Sequence, residues 1–408
     1  MSTTLKGPII IRVDFNVPVK NNVIQDPTRI LSAKQTIEYF SDYRIILTSH
    51  FKDPTPNDIA SDKYSFAPIL GDIKKYLDRD VVLLDLFDEN LSAKIEAAPR
   101  RALILLENSR FWPGEKTCSD ELSQRIASLG CVFVNEAFSC SHRAHASVYG
   151  VAKHLPAYPG FHFMAEVNAL SRVLKDPHGL DLAIVGGAKV STKLPILENL
   201  LPKVKQMMIG GAMAHTFLVA LGMPVGRSLF EPAYVDKARE LMNTYANKIL
   251  LPSDLVIAKD LSAPSEIVNV GSIMSTQNAK LAGETTAPNA GEYIPDDCAA
   301  YDIGPNTVRA WEPIIKECRT IIWNGTLGVA EQPPFDEGTQ AVAQCICRAD
   351  AFSVAGGGDT LAALTQLGAT DYFSHVCTGG GAFLEWLSAE KLVVDETFVG
   401  VDLREYKS

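Results

Sequence analysis

Gly186, Gly187, Lys189 and Lys193 stand in one short stretch, after the apolar run Asp181–Val185 and before leucines at helical spacing, Leu194, Leu197, Leu200 and Leu201. A glycine pair lets backbone approach a ligand closely, and two ammonium groups beside the free N–H groups of a first helical turn attract an anion. Ser191 is expected as the N-cap, which puts Pro195 at the fourth helical position, where its missing N–H has no intrahelical partner to lose. Taken alone, the stretch fits a phosphate site and a tight strand-to-helix turn with two surface lysines equally well. Neither G-x-x-x-x-G-K-[ST] nor G-x-G-x-x-G occurs in the chain.

The other candidates follow apolar runs. In open parallel sheets ligands bind outside the carboxyl ends of the strands, so the residues just after each run carry the functional information. In the first half these are Asp14 and Asn16, Ser49 and His50, Glu107, Asn108 and Arg110, then Asn135 followed by His142, Arg143 and His145. In the second half they are Gly186, Gly187 and Lys189, Gly210 and Gly211, Asn324 and Gly325, Gly356 to Thr360, and Gly379 to Gly381. Guanidinium groups suit a small phosphorylated, carboxylated compound, whereas glycine turns and helix N-termini suit a nucleotide. One half is therefore expected to hold an anionic metabolite and the other a nucleotide.

Some candidates have a plainer reading alongside. His142-x-x-His145 has metal-ligand spacing, but Arg143 between them repels a cation, and anion binding is favoured. Arg29 opens the helical run after QDPT and could be a solvated helix-start arginine. Asp359, directly after three glycines, suits an N-cap and also a carboxylate for nucleotide-bound Mg²⁺. Glu331 could accept ribose hydroxyls or lie solvated on the surface.

These residues need strands and helices to place them. Apolar runs at Pro8–Val13, Tyr43–Thr48, Asp80–Leu84, Arg101–Leu106 and Cys131–Val134 predict one parallel sheet. Runs at Asp181–Val185, Val204–Ile209, Ile249–Ala258, Thr320–Trp323, Ala351–Ala355 and Phe373–Cys377 predict a second. The fold class is thus α/β, with two Rossmann-like domains, each a doubly wound parallel sheet. Phe161, Met164, Val167, Leu170, Val173 and Leu174 predict a connecting helix, stopped by Asp176-Pro177-His178-Gly179. The expected bounds are 1–160, a connecting helix over 161–176, 177–387, and a terminal segment 388–408 returning to the first domain.

A chain of 408 residues is too long for one ordinary core. Its formal net charge of -10 argues against a nucleic-acid partner, so any anion site must be local. No apolar run reaches membrane-spanning length and no signal-peptide pattern precedes the first strand, which predicts a cytoplasmic protein without a membrane partner. The eight cysteines form no C-x-x-C pair and are expected as reduced thiols.

The motifs RVDFNVP (Arg12 to Pro18), LLENSRFWPGE (Leu105 to Glu115), VNEAFSCSHRAHAS (Val134 to Ser147), GGAKVSTK (Gly186 to Lys193), DIGPNT (Asp302 to Thr307), WNGTLGVAEQPPFDEGT (Trp323 to Thr339), GGGDT (Gly356 to Thr360) and FSHVCTGGGAFLE (Phe373 to Glu385) run in order over nearly the whole chain. Together they resemble the phosphoglycerate kinase family. The resemblance implies a monomeric hinge-bending enzyme of glycolysis that transfers a phosphoryl group reversibly from 1,3-bisphosphoglycerate to MgADP, giving 3-phosphoglycerate and MgATP. It assigns the glycerate to Asp14, Asn16, Arg29, His50, Arg110 and Arg143, with His142 nearby and Phe15, Phe51, Lys52 and Asp53 on the same rim. It assigns the nucleotide to Gly187, Lys193, Gly211, Asn324, Glu331, Gly357, Gly358, Asp359 and Thr360, with Asp359 taking Mg²⁺. The transferring group falls to Arg29, Lys189, Lys193 and the amides near Gly357 and Gly380.

The chain departs from the family where S-H-L-G-R-P becomes Ser49-His50-Phe51-Lys52-Asp53-Pro54, an acid in place of a substrate-binding arginine. A higher KM for the glycerate is expected, with Lys52 partly compensating. Ala212, Thr192 and Thr326 replace a usual glycine, aspartate and proline. A rival from another class is a catalytically weakened relative kept as a nucleotide-binding or interaction protein. A dehydrogenase fits the strand–helix rhythm but lacks the dinucleotide fingerprint.

Overall fold

In the first sheet, the run Ile9–Arg12 is buried along its whole length, as a central strand covered on both faces must be. The computed structural model describes residues 6–55, 62–176, 179–270 and 293–399. Two compact units result, Met1–Asn168 with Glu390–Ser408, and Ala169–Ala389. The boundary between them falls within the helix Phe161–Leu174.

The first unit carries six strands in the order Val81–Leu84, Leu103–Leu106, Ile45–Thr48, Ile9–Arg12, Val132–Asn135, Ala157–Pro159, all parallel. After Ile9–Arg12 the chain fills one side of the sheet, Val81–Leu84 taking the edge before Leu103–Leu106 enters between it and Ile45–Thr48, and then the other side, so the switch point lies between Ile9–Arg12 and Val132–Asn135. Arg12 and Asn135 are register partners there. Ile9, Ile11, Leu47, Leu105 and Val134 fill the core against Phe15, Phe51 and Phe66. The described end of the chain packs on this unit: Val399 N–H donates to Ala157 O (3.0 Å), and the Phe398 ring meets Phe163 edge-on at 5.3 Å.

The second unit repeats the plan, in the order Ile249–Leu250, Val204–Ile209, Leu180–Val185, Thr320–Asn324, Phe352–Gly356, His375–Cys377, again all parallel. Its switch point lies between Leu180–Val185 and Thr320–Asn324. The expected single strand over 249–258 is a correction. Pro252, which has no N–H for a ladder, separates Ile249–Leu250 from Asp254–Ala258. Asp254–Ala258 joins a separate antiparallel sheet with Glu266–Asn269 and Ala299–Ile303. The hairpin Val19–Lys20 with Val23–Ile24 was not expected either. Its turn is Asn21-Asn22, both at positive φ, 51° and 61°. Of the expected helix stop, Pro177 and His178 lie outside the described residues.

The helix after the glycine pair also differs from expectation. It spans Val190–Leu200 with Lys189, not Ser191, at the N-cap. Pro195 is thus the sixth helical residue, and its ring nitrogen leaves the Ser191 carbonyl without the usual i→i−4 donor. Ser191 instead gives its N–H to Glu231 Oε2 (2.9 Å) and its hydroxyl to Glu231 Oε1 (2.6 Å). A carboxylate forty residues away in the chain therefore caps the first turn, favoured there by the helix dipole.

Candidate active site

At the first switch point, Asp14 follows one central strand and Ser139 follows the other, and the Ser139 hydroxyl donates to Asp14 Oδ2. Arg29 Nη1 lies 3.0 Å from the same carboxylate and donates to Asn16 O at 3.0 Å, so this helix-start arginine is turned inward. Burial opposes ionisation of Asp14, but Arg29 beside it holds its carboxyl below the usual range. Asn16 Oδ1 accepts from Lys52 N–H at 2.8 Å, with Lys52 at φ 56°. His50 is buried, with Nδ1 4.0 Å from Asp14 and 3.2 Å from Arg12 Nη2, and burial pushes its pKa down to about 3. It is neutral, and a ring nitrogen beside a guanidinium is an acceptor.

Arg143 Nε donates to His142 Nε2 at 3.0 Å, which fixes that nitrogen as an acceptor. Burial and Arg143 both lower the His142 pKa. Burial, then Arg110, puts His145 at about 3. Arg110 Nε is buried and makes no hydrogen bond. Its nearest carboxylate is Asp53, 3.9 Å away, and Asp53 lies 2.5 Å from Lys116 Nζ. The expected compensation by Lys52 is a correction: its ammonium donates to Lys63 O at 2.9 Å and lies 4.7 Å over the Phe51 ring. The rings of Phe15 and Phe51 belong to the core, so each offers a ligand only backbone.

Sequence reasoning missed three members of this rim. Arg12, almost fully buried, reaches Ser147 Oγ (3.1 Å) as well as His50. Lys116 and Cys140 are the others, Cys140 Sγ lying 3.7 Å from His50 Nδ1. Burial of Arg12 in a strand-end motif was the available clue. Asp14, His50 and Cys140 bring possible ligand atoms within 4.8 Å, but Arg12 and Arg29 already supply the positive charge there.

At the second switch point glycine permits contacts that no side chain would. A Cβ on Gly186 would meet Thr326 O at 2.1 Å, and one on Gly211 (φ 64°) would meet Gly187 N at 2.7 Å. Gly357 (φ 105°) would meet Asn324 Nδ2 at 2.6 Å, and Gly380 lies against Gly358. Five strand-end loops are thus held close together. Asn324 Nδ2 donates to Gly356 O (2.7 Å), and Gly325 N–H donates to the buried Thr360 hydroxyl (2.7 Å). Lys193 donates to Asn324 Oδ1; burial lowers its pKa, while Asp359 nearby opposes this. Lys189 is exposed at the helix start.

Beside these loops is a cavity of about 370 Å³. Gly187, Gly211, Glu331 and Asp359 line it, and so do the larger side chains of Leu229, Leu255, Tyr301 and Leu327. Leu255 and Tyr301 come from the accessory antiparallel sheet, which sequence reasoning did not find. Also missed were His215 and Asp302 on the cavity wall. Burial raises Asp302 to about 8, although Gly338 and Ile303 N–H groups donate to it.

Two doubly wound sheets, one with a basic rim and one with a glycine rim beside a cavity, define a two-domain α/β phosphotransferase. The family model for phosphoglycerate kinase matches residues 4–390. A phosphoglycerate kinase of Thermus thermophilus is 42% identical over 386 residues, 93% of each chain, and that of Moorella thermoacetica 39% over 392, 94% of each. Among solved structures, phosphoglycerate kinase from Coxiella burnetii superposes with a TM-score of 0.83 at 36% identity, over 97% of both chains. That from Pyrococcus horikoshii OT3 gives 0.77 at 26% identity, over 96% of this chain and 95% of that one. The chain belongs to the phosphoglycerate kinase family. Its activity is the family's, phosphoryl transfer between a phosphoglycerate and an adenine nucleotide. Among the described residues no helix is long and apolar enough to cross a membrane.

Proposed function

We propose that the basic rim holds 3-phosphoglycerate or 1,3-bisphosphoglycerate, that the glycine rim and its cavity hold MgADP or MgATP, and that the reaction runs reversibly between them. Domain bounds of 1–160, 161–176, 177–387 and 388–408, a monomeric state and a cytoplasmic location belong to the same proposal. The carrying observation is the half-buried Lys193, donating to Asn324 at the switch point with Asp359 nearby.

On the glycerate side Arg29, Arg110 and Arg143 offer guanidinium groups, and neutral His50, its Nδ1 accepting from Arg12, keeps the Nε2 proton to donate to a ligand oxygen. On the nucleotide side the amides of Gly357 and Gly358 face phosphates, Gly187 and Gly211, whose own N–H groups donate to Thr326 O and Leu327 O, let the ligand come close for want of a side chain, and Glu331 takes the ribose. No general base is required, because an acyl phosphate leaves as a carboxylate and the attacking phosphate oxygen is already ionised. The chain therefore has to position two anions and neutralise spread charge. Lys189, Lys193, Arg29 and the amides of Gly357 and Gly380 are suited to that.

Asp359 fits nucleotide-bound Mg²⁺. Its carboxylate borders the cavity and makes no hydrogen bond to the described residues, and one carboxylate plus phosphate oxygens is a usual set for this ion. Mg²⁺ there would neutralise phosphate charge.

The test is the steady-state rate with 3-phosphoglycerate and MgATP, in the parent and in Lys189→Ala. The proposal expects turnover in the parent and a loss of about a hundredfold or more in the variant. A variant as fast as the parent would remove Lys189 from the site.

A further inference from the structure

His215 is on the second turn of the helix Ala212–Ala220, which begins at the Gly210-Gly211 loop. Its side chain is 3% exposed and lines the 370 Å³ cavity. Nδ1 lies 2.9 Å from the carbonyl oxygen of Leu229. A carbonyl can only accept, so Nδ1 carries the proton. Burial lowers the ring's pKa against the opposing effect of that hydrogen bond, so the imidazole is neutral. The tautomer is therefore fixed, and Nε2 holds a lone pair.

Nε2 has no hydrogen-bond partner among the described residues, and it is not sealed from the cavity. The other ionisable groups on the wall are committed or peripheral. Asp302 Oδ1 accepts from Ile303 N–H and Oδ2 from Gly338 N–H. Arg227, Glu331 and Asp359 are exposed. Leu229, Leu255 and Tyr301 surround the remaining space with apolar and aromatic surface. A flat heterocycle fits such a slot, and His215 Nε2 is a buried acceptor on its wall without a partner among the described residues.

We infer that His215 Nε2 selects the base of the nucleotide, accepting a hydrogen bond from an exocyclic amine and so favouring 6-aminopurine over 6-oxopurine nucleotides. This rests on the nucleotide occupying the cavity as proposed above. An amino group at the purine 6 position satisfies the lone pair. An oxo group there sets two acceptors against each other and leaves both unpaired in a desolvated site.

The experiment compares kcat/KM for ADP and for inosine diphosphate, which carry a 6-amine and a 6-oxo group with its accompanying N1 proton, with 1,3-bisphosphoglycerate as donor. The parent is expected to favour ADP by roughly tenfold. His215→Phe, which fills the same space without the acceptor, is expected to bring the ratio close to one. A ring that merely packs would lower both rates together and leave the ratio unchanged. Equal kcat/KM for the two nucleotides in the parent would overturn the inference, as would a ratio retained in His215→Phe. A purine riboside diphosphate lacking any 6-substituent tests it without substitution, and in the parent it should fall below ADP; parity with ADP would overturn the inference. Absence of turnover with every nucleotide would instead overturn the site assignment beneath it.

Discussion

Asp53 Oδ1 lies 2.5 Å from Lys116 Nζ and 3.9 Å from Arg110 Nε, so an acid stands among the cations of the glycerate rim. The hydrogen bond from Lys116 holds its carboxyl below the usual range. An exposed pair of this kind contributes about 0–1 kcal/mol, so its main effect is to neutralise charge that would face an anionic substrate. Replacing it by a cation should matter more than breaking the pair. Asp53→Arg is expected to lower the KM for 3-phosphoglycerate about tenfold, the equivalent of one charge-assisted hydrogen bond. Initial rates over a range of glycerate would show it, and an unchanged KM would sink the idea.

Lys193 is held by Asn324 rather than by a carboxylate, which leaves its charge for a ligand. Lys193→Met should lower kcat for transfer by about a hundredfold or more. Single-turnover kinetics would separate that loss from product release. A variant with parental kcat would leave Lys193 a structural residue.

Gly211 adopts φ 64°, and a Cβ there would come within 2.7 Å of both Gly187 N and Gly187 O. Gly211→Ala must push two strand-end loops apart, at a strain of about 1–3 kcal/mol. ADP affinity by calorimetry should fall by roughly tenfold or more, whereas glycerate binding should hold. Equal losses on both ligands would argue for general unfolding instead.

Glu136 follows the strand Val132–Asn135, accepts the His162 N–H at 2.9 Å, and leaves Oε2 buried without a partner. Burial raises its pKa to about 8, against the pull of that backbone hydrogen bond. Between the ordinary 4.5 and about 8 the folded state holds a proton that the unfolded state has released. Stability therefore falls as pH rises through that window. Glu136→Gln removes the titration. Its Tm relative to the parent should increase between pH 5 and pH 9 by roughly 3 °C or more, the shift that about 1 kcal/mol produces in a domain of this size. A constant difference across that range would contradict the burial argument.

The parallel strands were legible because a buried central strand must be apolar along its length, as Ile9–Arg12 and Leu180–Val185 are. The strand-end rule also led to residues that the fold does bring together, such as Asp14 with His50 and Asn324 with Gly356. What escaped depends on partners distant in sequence. Glu231 caps the helix Val190–Leu200 from forty residues away, so Ser191 looked like the cap. The strand Ala299–Ile303 is short and half polar, and its role as a cavity wall follows only from its antiparallel pairing with Asp254–Ala258. His215 gave no periodic signal, since it is one buried residue of a helix buried along most of its length. Its meaning depends on the Leu229 carbonyl. The Asn21-Asn22 turn escaped too, although its signal is local, since consecutive asparagines tolerate left-handed backbone and close tight hairpins.

The division of labour between the two rims is tested most directly by calorimetric titration of Arg143→Ala and Asp359→Ala with 3-phosphoglycerate and with MgADP. The account predicts that Arg143→Ala loses glycerate affinity and keeps MgADP, and that Asp359→Ala does the reverse. Loss of MgADP in Arg143→Ala with glycerate retained, or no change in either variant, would contradict it.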